Sequence, residues 1–343
     1  MCPSGPLATL WRAGLKAEGA VPRRGGGQDA LPIGPDTPWL APLAGYSDLP
    51  FRLLCRECGA AVCVTEMISA KGLVYGGGGT EGLLAVTPAD APLVAQVFGA
   101  EPAFLGRAVA LLRERGFRWF DLNVGCAVRK VLRQGAGAGM LGDMDNLLAG
   151  ARAMLAAAGP GRVGFKLRLG LDDGHPVLPD LALRLEDAGA GWLTLHPRTA
   201  AQGFAGTARW EELARLAPRL SIPLMASGDL FTAADGVRCL RETGAAGVMY
   251  ARGAMRHPGI FAEHKALMAG RAPAPRSAGD LKALALRHVA LCRRYGDAGA
   301  ALWKMRSVLP RYARGLPGAR NLRKALCRCT DWAGLCALLD EFF

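Results

Sequence analysis

The run Asp121-Leu-Asn-Val-Gly-Cys126, followed closely by Arg129 and Lys130, gathers a carboxylate, an amide, a thiol and two cations in one short stretch. The apolar pair Trp119-Phe120 leads into it, as when a buried strand ends in polar side chains at the carboxyl edge of a parallel sheet. An ordinary thiol has a pKa of about 8.5, so near neutrality it is mostly protonated and able to act as an acid. Arg129 and Lys130 would favour the thiolate instead, unless their charge is spent on an anion such as a phosphate. The residue types alone leave Cys126 open between a proton donor and a packed structural thiol.

Other apolar runs end in equally suggestive groups. Gln96 closes one run, Asn123 and Cys126 another, Lys166 and Arg168 a third, and His196 and Arg198 a fourth. The last two lead into Ser227-Gly228-Asp229 and Ala251-Arg252-Gly253. Small residues with free backbone donors beside a guanidinium suit a phosphate group. Lys166 could neutralise charge on a flavin or an enolate, and His196 could hydrogen-bond a ring carbonyl.

These groups act together only if one fold brings the strand ends to a common edge. Expected strands are Trp39–Pro42, Ala61–Val64, Leu93–Val97, Trp119–Asn123, Gly164–Leu167, Trp192–His196, Pro223–Ala226 and Gly247–Tyr250. Helix-period segments lie between them: Pro102–Arg115, Asn146–Ala158, Asp180–Ala188, Trp210–Ala217 and Ala233–Thr243. Gly116, Gly189 and Gly244 stand where left-handed helix ends prefer glycine. Strands alternating with helices in this way predict an α/β fold, a (β/α)8 TIM barrel, over residues 38–270. A doubly wound open sheet is the weaker alternative, since no Gly-x-Gly-x-x-Gly follows the first strand. After the linker Ala272-Pro-Ala-Pro275, residues 276–343 read as a small, basic C-terminal helical domain, and residues 1–37 as a flexible leader.

Charge sharpens the division. The net charge is +13, and from Arg271 onward 14 Lys/Arg stand against 5 Asp/Glu. A basic appendage on a near-neutral body points to a polyanionic partner. The 10 cysteines are irregularly spaced and no export signal is evident, which predicts reduced thiols and a cytoplasmic protein. Cys55-x-x-Cys58 lacks a second pair at zinc-like spacing, so no metal is expected. No apolar run is long enough to span a bilayer, so no membrane partner is expected.

From Ala41 to the C-terminal helices the chain resembles the tRNA-dihydrouridine synthases. The match is carried by Ala41-Pro-Leu-Ala-Gly-Tyr-Ser-Asp-Leu-Pro-Phe-Arg52, Glu66-Met67, Gln96-Val-Phe-Gly99, the run ending at Cys126 with Val128-Arg-Lys-Val131, and Gly135-Ala-Gly137. Lys166-Leu-Arg-Leu-Gly170, His196-Pro-Arg-Thr199, Gly228-Asp229, Arg252-Gly-Ala254 with His257-Pro258, and Tyr312-Ala-Arg-Gly-Leu-Pro-Gly-Ala-Arg320 extend it.

The resemblance implies an FMN enzyme that uses NADPH to reduce selected uridines of tRNA to 5,6-dihydrouridine, with Cys126 donating the proton. It implies FMN held by Pro42, Leu43, Ala44, Gln96, Lys166, His196, Ser227, Gly228, Asp229, Ala251 and Arg252. RNA would meet Asn123, Arg129, Lys130, Arg168 and Arg198 at the mouth, and Arg311, Arg314 and Arg320 on the tail. A monomer is expected. The chain departs from the family pattern at Ala127, where proline is usual after the cysteine, at Ser227, where asparagine is usual, and at Leu43 and Pro197. Another FMN barrel reductase of small molecules would leave the basic tail without a purpose. An inactive RNA-binding relative would have no use for Cys126, Lys166 and His196.

Overall fold

The structure, a computed structural model, describes residues 30–343. Nine short strands, all paired in parallel, form one sheet: β1 (Trp39–Leu40), β2 (Val62–Val64), β3 (Ile68–Ser69), β4 (Leu93–Phe98), β5 (Trp119–Val124), β6 (Val163–Leu167), β7 (Trp192–Leu195), β8 (Leu224–Ala226) and β9 (Gly247–Tyr250). The sheet closes because β9 pairs with β1 and β2 pairs with β4. Helices follow the strands on the outside, which makes a (β/α)8 barrel.

The predicted eight strands become nine because the second is broken. β2 and β3 both pair with β4, and Thr65–Met67 lie between them. Thr65 bridges the break: its N–H donates to Val94 O at 3.0 Å, and its hydroxyl accepts from Gln96 N at 3.0 Å. A side-chain oxygen takes the place of a ladder carbonyl, and the pleat is lost for three residues.

The barrel interior is filled at its amino-terminal end by Trp39, Trp119, Trp192, Met225 and Met249. Trp39 and Trp192 meet edge to face at 5.7 Å. Gly164 makes this possible, since a Cβ there would lie 2.0 Å from the Trp192 ring. Leu31 is buried in the same cluster, and Trp39 Nε1 donates to Pro32 O at 2.9 Å. Residues 31–37 are therefore part of the folded body, not of a leader, because the barrel floor needs apolar cover. Residues 1–29 of the expected leader lie outside the described residues.

Beyond residues 271–277, which have no regular structure, come four helices: Ala278–Tyr295, Ala301–Tyr312, Ala319–Arg328 and Trp332–Phe342. The first packs on the barrel helix Leu49–Glu57, and Phe51 lies 5.6 Å from His288 across the junction. Leu284, Val289 and Leu291 join one core with Leu49, Phe51 and Leu54. At the rim of this junction Arg287 grips Glu57 in a bidentate pair and Lys304 Nζ lies 2.6 Å from Asp48 Oδ2.

The cavity at the barrel mouth

The carboxyl ends of the strands surround a cavity of about 410 Å³, in the range of small-molecule and cofactor sites. Every residue expected to bind cofactor, and Cys126, lines it: Pro42, Leu43 and Ala44 after β1, Gln96 on β4, Lys166 on β6, His196 after β7, Ser227–Asp229 after β8, and Ala251 and Arg252 after β9. Asn123 and Arg168 line it too, whereas Arg129 and Lys130 stand exposed on the short helix Arg129–Leu132 just outside.

A buried amide relay fixes the loop that carries Cys126. Gln96 Nε2 donates to Asp121 Oδ2 at 2.7 Å, and Gln96 Oε1 accepts from Asn123 Nδ2 at 2.9 Å. Asn123 Oδ1 in turn accepts from the N–H groups of Gly125 (3.1 Å) and Cys126 (2.8 Å). Cys126 O accepts from Ala138 N at 2.9 Å, and Arg168 Nε donates to Gly125 O at 2.7 Å. The thiol-bearing turn is thus held on both flanks by hydrogen bonds. Gly137 completes the clamp, because a Cβ there would lie 2.6 Å from Cys126 O and its φ is +59°.

The Lys166 ammonium makes no hydrogen bond or ion pair among the described residues. Burial lowers its pKa to about 8, with Arg168 acting the same way and Asp121 and Cys126 opposing. Burial likewise lifts Asp121 to about 7, against the Gln96 hydrogen bond and the Lys166 charge. His196 is pushed far down, to about 2, by burial and by Lys166, Arg168, Arg198 and Arg252 around it. Its Nε2 sits 3.2 Å from Arg198 Nη1, a group that only donates, so the neutral ring carries its proton on Nδ1. Gly228, with φ +104°, passes so close that a Cβ would lie 2.7 Å from the His196 ring.

The end of the cavity formed after β8 and β9 differs in detail from expectation. Gly228 and Asp229 keep backbone N–H groups without a partner among the described residues. Asp229 holds the left-handed φ of +55°, and its carboxylate is spent on Arg198, Arg252 and Ala208 N. Burial opposes ionisation of Asp229, but these bonds and charges hold it below the usual carboxylate range. Ser227 donates its hydroxyl to Met249 O and its N–H to Leu195 O, so it adds shape to the cavity and no free donor.

Two of the residues expected to face RNA are engaged within the protein. Arg198 is 1% exposed and its five N–H groups are all engaged, by Ala205 O, Gly206 O, His196 and both Asp229 oxygens. It is a buried brace for the loop after β7, with no N–H group left over for a further partner. Arg311 lies over the Tyr46 ring, 4.9 Å from its centroid, and bonds the Tyr46 hydroxyl, so it docks the tail onto the loop after β1. Arg168 gives Nη1 to Thr199 O and Gly203 O, and its Nη2 has no partner among the described residues. Arg314 and Arg320 are exposed.

Phe204, which no sequence motif marks, lines the same mouth while 62% exposed. Arg252 lies 4.6 Å over its ring, and Arg168 and Arg198 hold the carbonyls on either side of it. Its only trace in the sequence is an aromatic between two glycines, Gly203 and Gly206, both at positive φ.

The family model described as "Dihydrouridine synthase (Dus)" matches residues 39–343. A protein of Synechocystis sp. named "Probable tRNA-dihydrouridine synthase 1" is 36% identical over 88% of this chain and 84% of its own length. The "tRNA-dihydrouridine synthase B" of Pseudomonas aeruginosa is 31% identical over 89% and 92%. Among solved structures, the old yellow enzyme homologue of Zymomonas mobilis shares the fold, with a TM-score of 0.50 and 14% identity over 70% of this chain and 90% of that one.

Proposed function

The chain belongs to the dihydrouridine synthase family, and on that premise we propose that it reduces uridines of tRNA to 5,6-dihydrouridine as a cytoplasmic monomer, with FMN and NADPH. The observation that carries the cofactor reading is the unpartnered Lys166 ammonium beside the buried Gln96 amide and the free Gly228 and Asp229 N–H groups, in one cavity. Such a set fits a polar ring at one end and a phosphate at the other. When bound and reduced by NADPH, FMN supplies the hydride to one carbon of the uracil double bond.

The protein's own groups do the rest. Lys166 and the Nδ1–H of neutral His196 present donors to the ring, and Arg252 with the backbone after β8 and β9 holds the phosphate. Asn123 orients the Cys126 turn, and the Cys126 thiol gives its proton to the other uracil carbon. Arg129 and Lys130, exposed beside that turn, meet RNA phosphates. The uridine leaves its stack to enter the mouth, and Arg314 and Arg320 on the tail hold the RNA body.

The test is the dihydrouridine content of tRNA treated with wild-type and Cys126→Ala protein. A positioned general acid contributes about 10²- to 10⁴-fold. The variant should keep its yellow cofactor and lose about a hundred-fold or more in rate. Undiminished dihydrouridine formation would remove Cys126 from the mechanism.

A further inference from the structure

Trp303 is 65% exposed, an unusual placement for the largest apolar side chain. It does not hang free. The Arg306 guanidinium lies 3.7 Å from the centre of the ring, and Arg306 is itself 9% exposed, with Nη1 directed at Cys327 O. One indole face is thereby covered and fixed in orientation, and the other is left to solvent. Because the ring is already ordered, a flat partner laid on its open face loses little conformational entropy on binding.

Exposed cations lie just past the end of its helix and on the helix after that. Trp303 and Ser307, at i and i+4, share the exposed face of the helix Ala301–Tyr312. The other end of that helix packs on Arg252–Arg256 at the barrel mouth, and the exposed Arg314 follows shortly after it. Arg256 stands within electrostatic reach of Arg252, Arg311 and Arg314. At 1.5 Å per residue, Trp303 lies about 12 Å along the helix from Arg311. Arg320, Arg323 and Lys324 are exposed on the next helix.

We propose that Trp303, braced from below by Arg306, is a stacking platform for a second, unpaired base of the same tRNA. The proposal rests on the tRNA reading. Turning one uridine out of a stack exposes the faces of its neighbours, and an aromatic ring beside cations is the usual acceptor of such faces. The cations farther along then carry the connecting phosphates. Stacking is uncharged, so Trp303 contributes affinity without a share of the salt dependence.

The experiment compares tRNA binding by wild-type, Trp303→Ala and Trp303→Phe holoprotein between 50 and 200 mM salt, with steady-state rates alongside. Loss of base stacking should weaken Trp303→Ala about five- to a hundred-fold, as a rise in KM at constant kcat. The slope of log affinity against log salt should not change, and Trp303→Phe should recover most of the binding. Unchanged affinity of Trp303→Ala overturns the platform. So does a loss accompanied by a slope reduced by about 0.9, as when one phosphate is no longer neutralised, or an effect confined to self-association of the protein. Wild-type protein that fails to bind tRNA overturns the functional reading along with it.

Discussion

At the residue scale, Lys166 decides how the cavity responds to pH. Burial puts its pKa at about 8, below the ordinary value of 10.5. The protonated form therefore costs stability below pH 8, and that cost is relieved as pH rises from 8 toward 10.5. A ligand that needs the ammonium reverses this preference when it binds. Flavin affinity should fall by up to about tenfold per unit as pH rises above about 8. Lys166→Met should bind weakly at every pH. Fluorescence titration of the flavin checks both, and level wild-type affinity to about pH 9.5 would separate Lys166 from the ligand. His196 remains neutral through this window, so it adds no acidic limb to the profile.

At the element scale, the segment from Gly125 to Ala138 is held by hydrogen bonds at both of its ends. Gly137 and Gly159 offer a controlled comparison. Both have positive φ, +59° and +89°, but a Cβ at Gly137 would strike Cys126 O while one at Gly159 meets nothing within 4 Å. Gly159→Ala, at φ +89° and ψ 162°, a region nearly closed to other residues, should cost about 1–3 kcal/mol of strain and leave the reaction rate alone. Gly137→Ala should cost about 1–3 kcal/mol and lower the rate at least tenfold with cofactor retained. Thermal melts and single-turnover rates separate strain from displacement of the thiol. Equal rates in the two variants would contradict the clamp.

At the scale of the molecule, the helical tail is fused to the barrel by a common core. Phe51 and Leu54 of the barrel are buried against it, with His288 hydrogen-bonded to Tyr312 at 2.8 Å inside the junction. Truncation near residue 271 should therefore expose apolar surface and give a protein that melts lower or precipitates, even though the site itself is left whole. Exchanging Arg314 and Arg320 for Gln should leave the melting temperature in place and lower the salt slope of tRNA binding by about 1 for each phosphate no longer neutralised. Calorimetry of the truncated chain, and salt titration of the Arg variants, measure the two roles of the tail separately. A truncated protein that melts as the full chain does would show the shared core to be dispensable.

The barrel was legible in the sequence because strand and helix periods, and the polar residues that end each apolar run, are local properties. Gln96, Cys126, Lys166 and His196 could each be placed at a strand end from their neighbours alone. Which donors remain free was not legible, since that depends on partners distant along the chain. Arg198 and Arg252 look alike in sequence, yet Arg198 is fully engaged and Arg252 lies in the cavity wall. Ser227 spends its hydroxyl on a carbonyl of the next strand, and Arg311 its guanidinium on Tyr46. Residues 31–37 joined the fold for the same reason, through Leu31 and Ile33 in the cluster that holds tryptophans of three separate strands, and through the Trp39–Pro32 hydrogen bond. Sequence by itself determined the periodicity, the strand-end chemistry and the basic tail, all of which follow from neighbouring residues. Tertiary structure alone decided burial and hydrogen-bond partnership, and with them which charges are left over for a ligand.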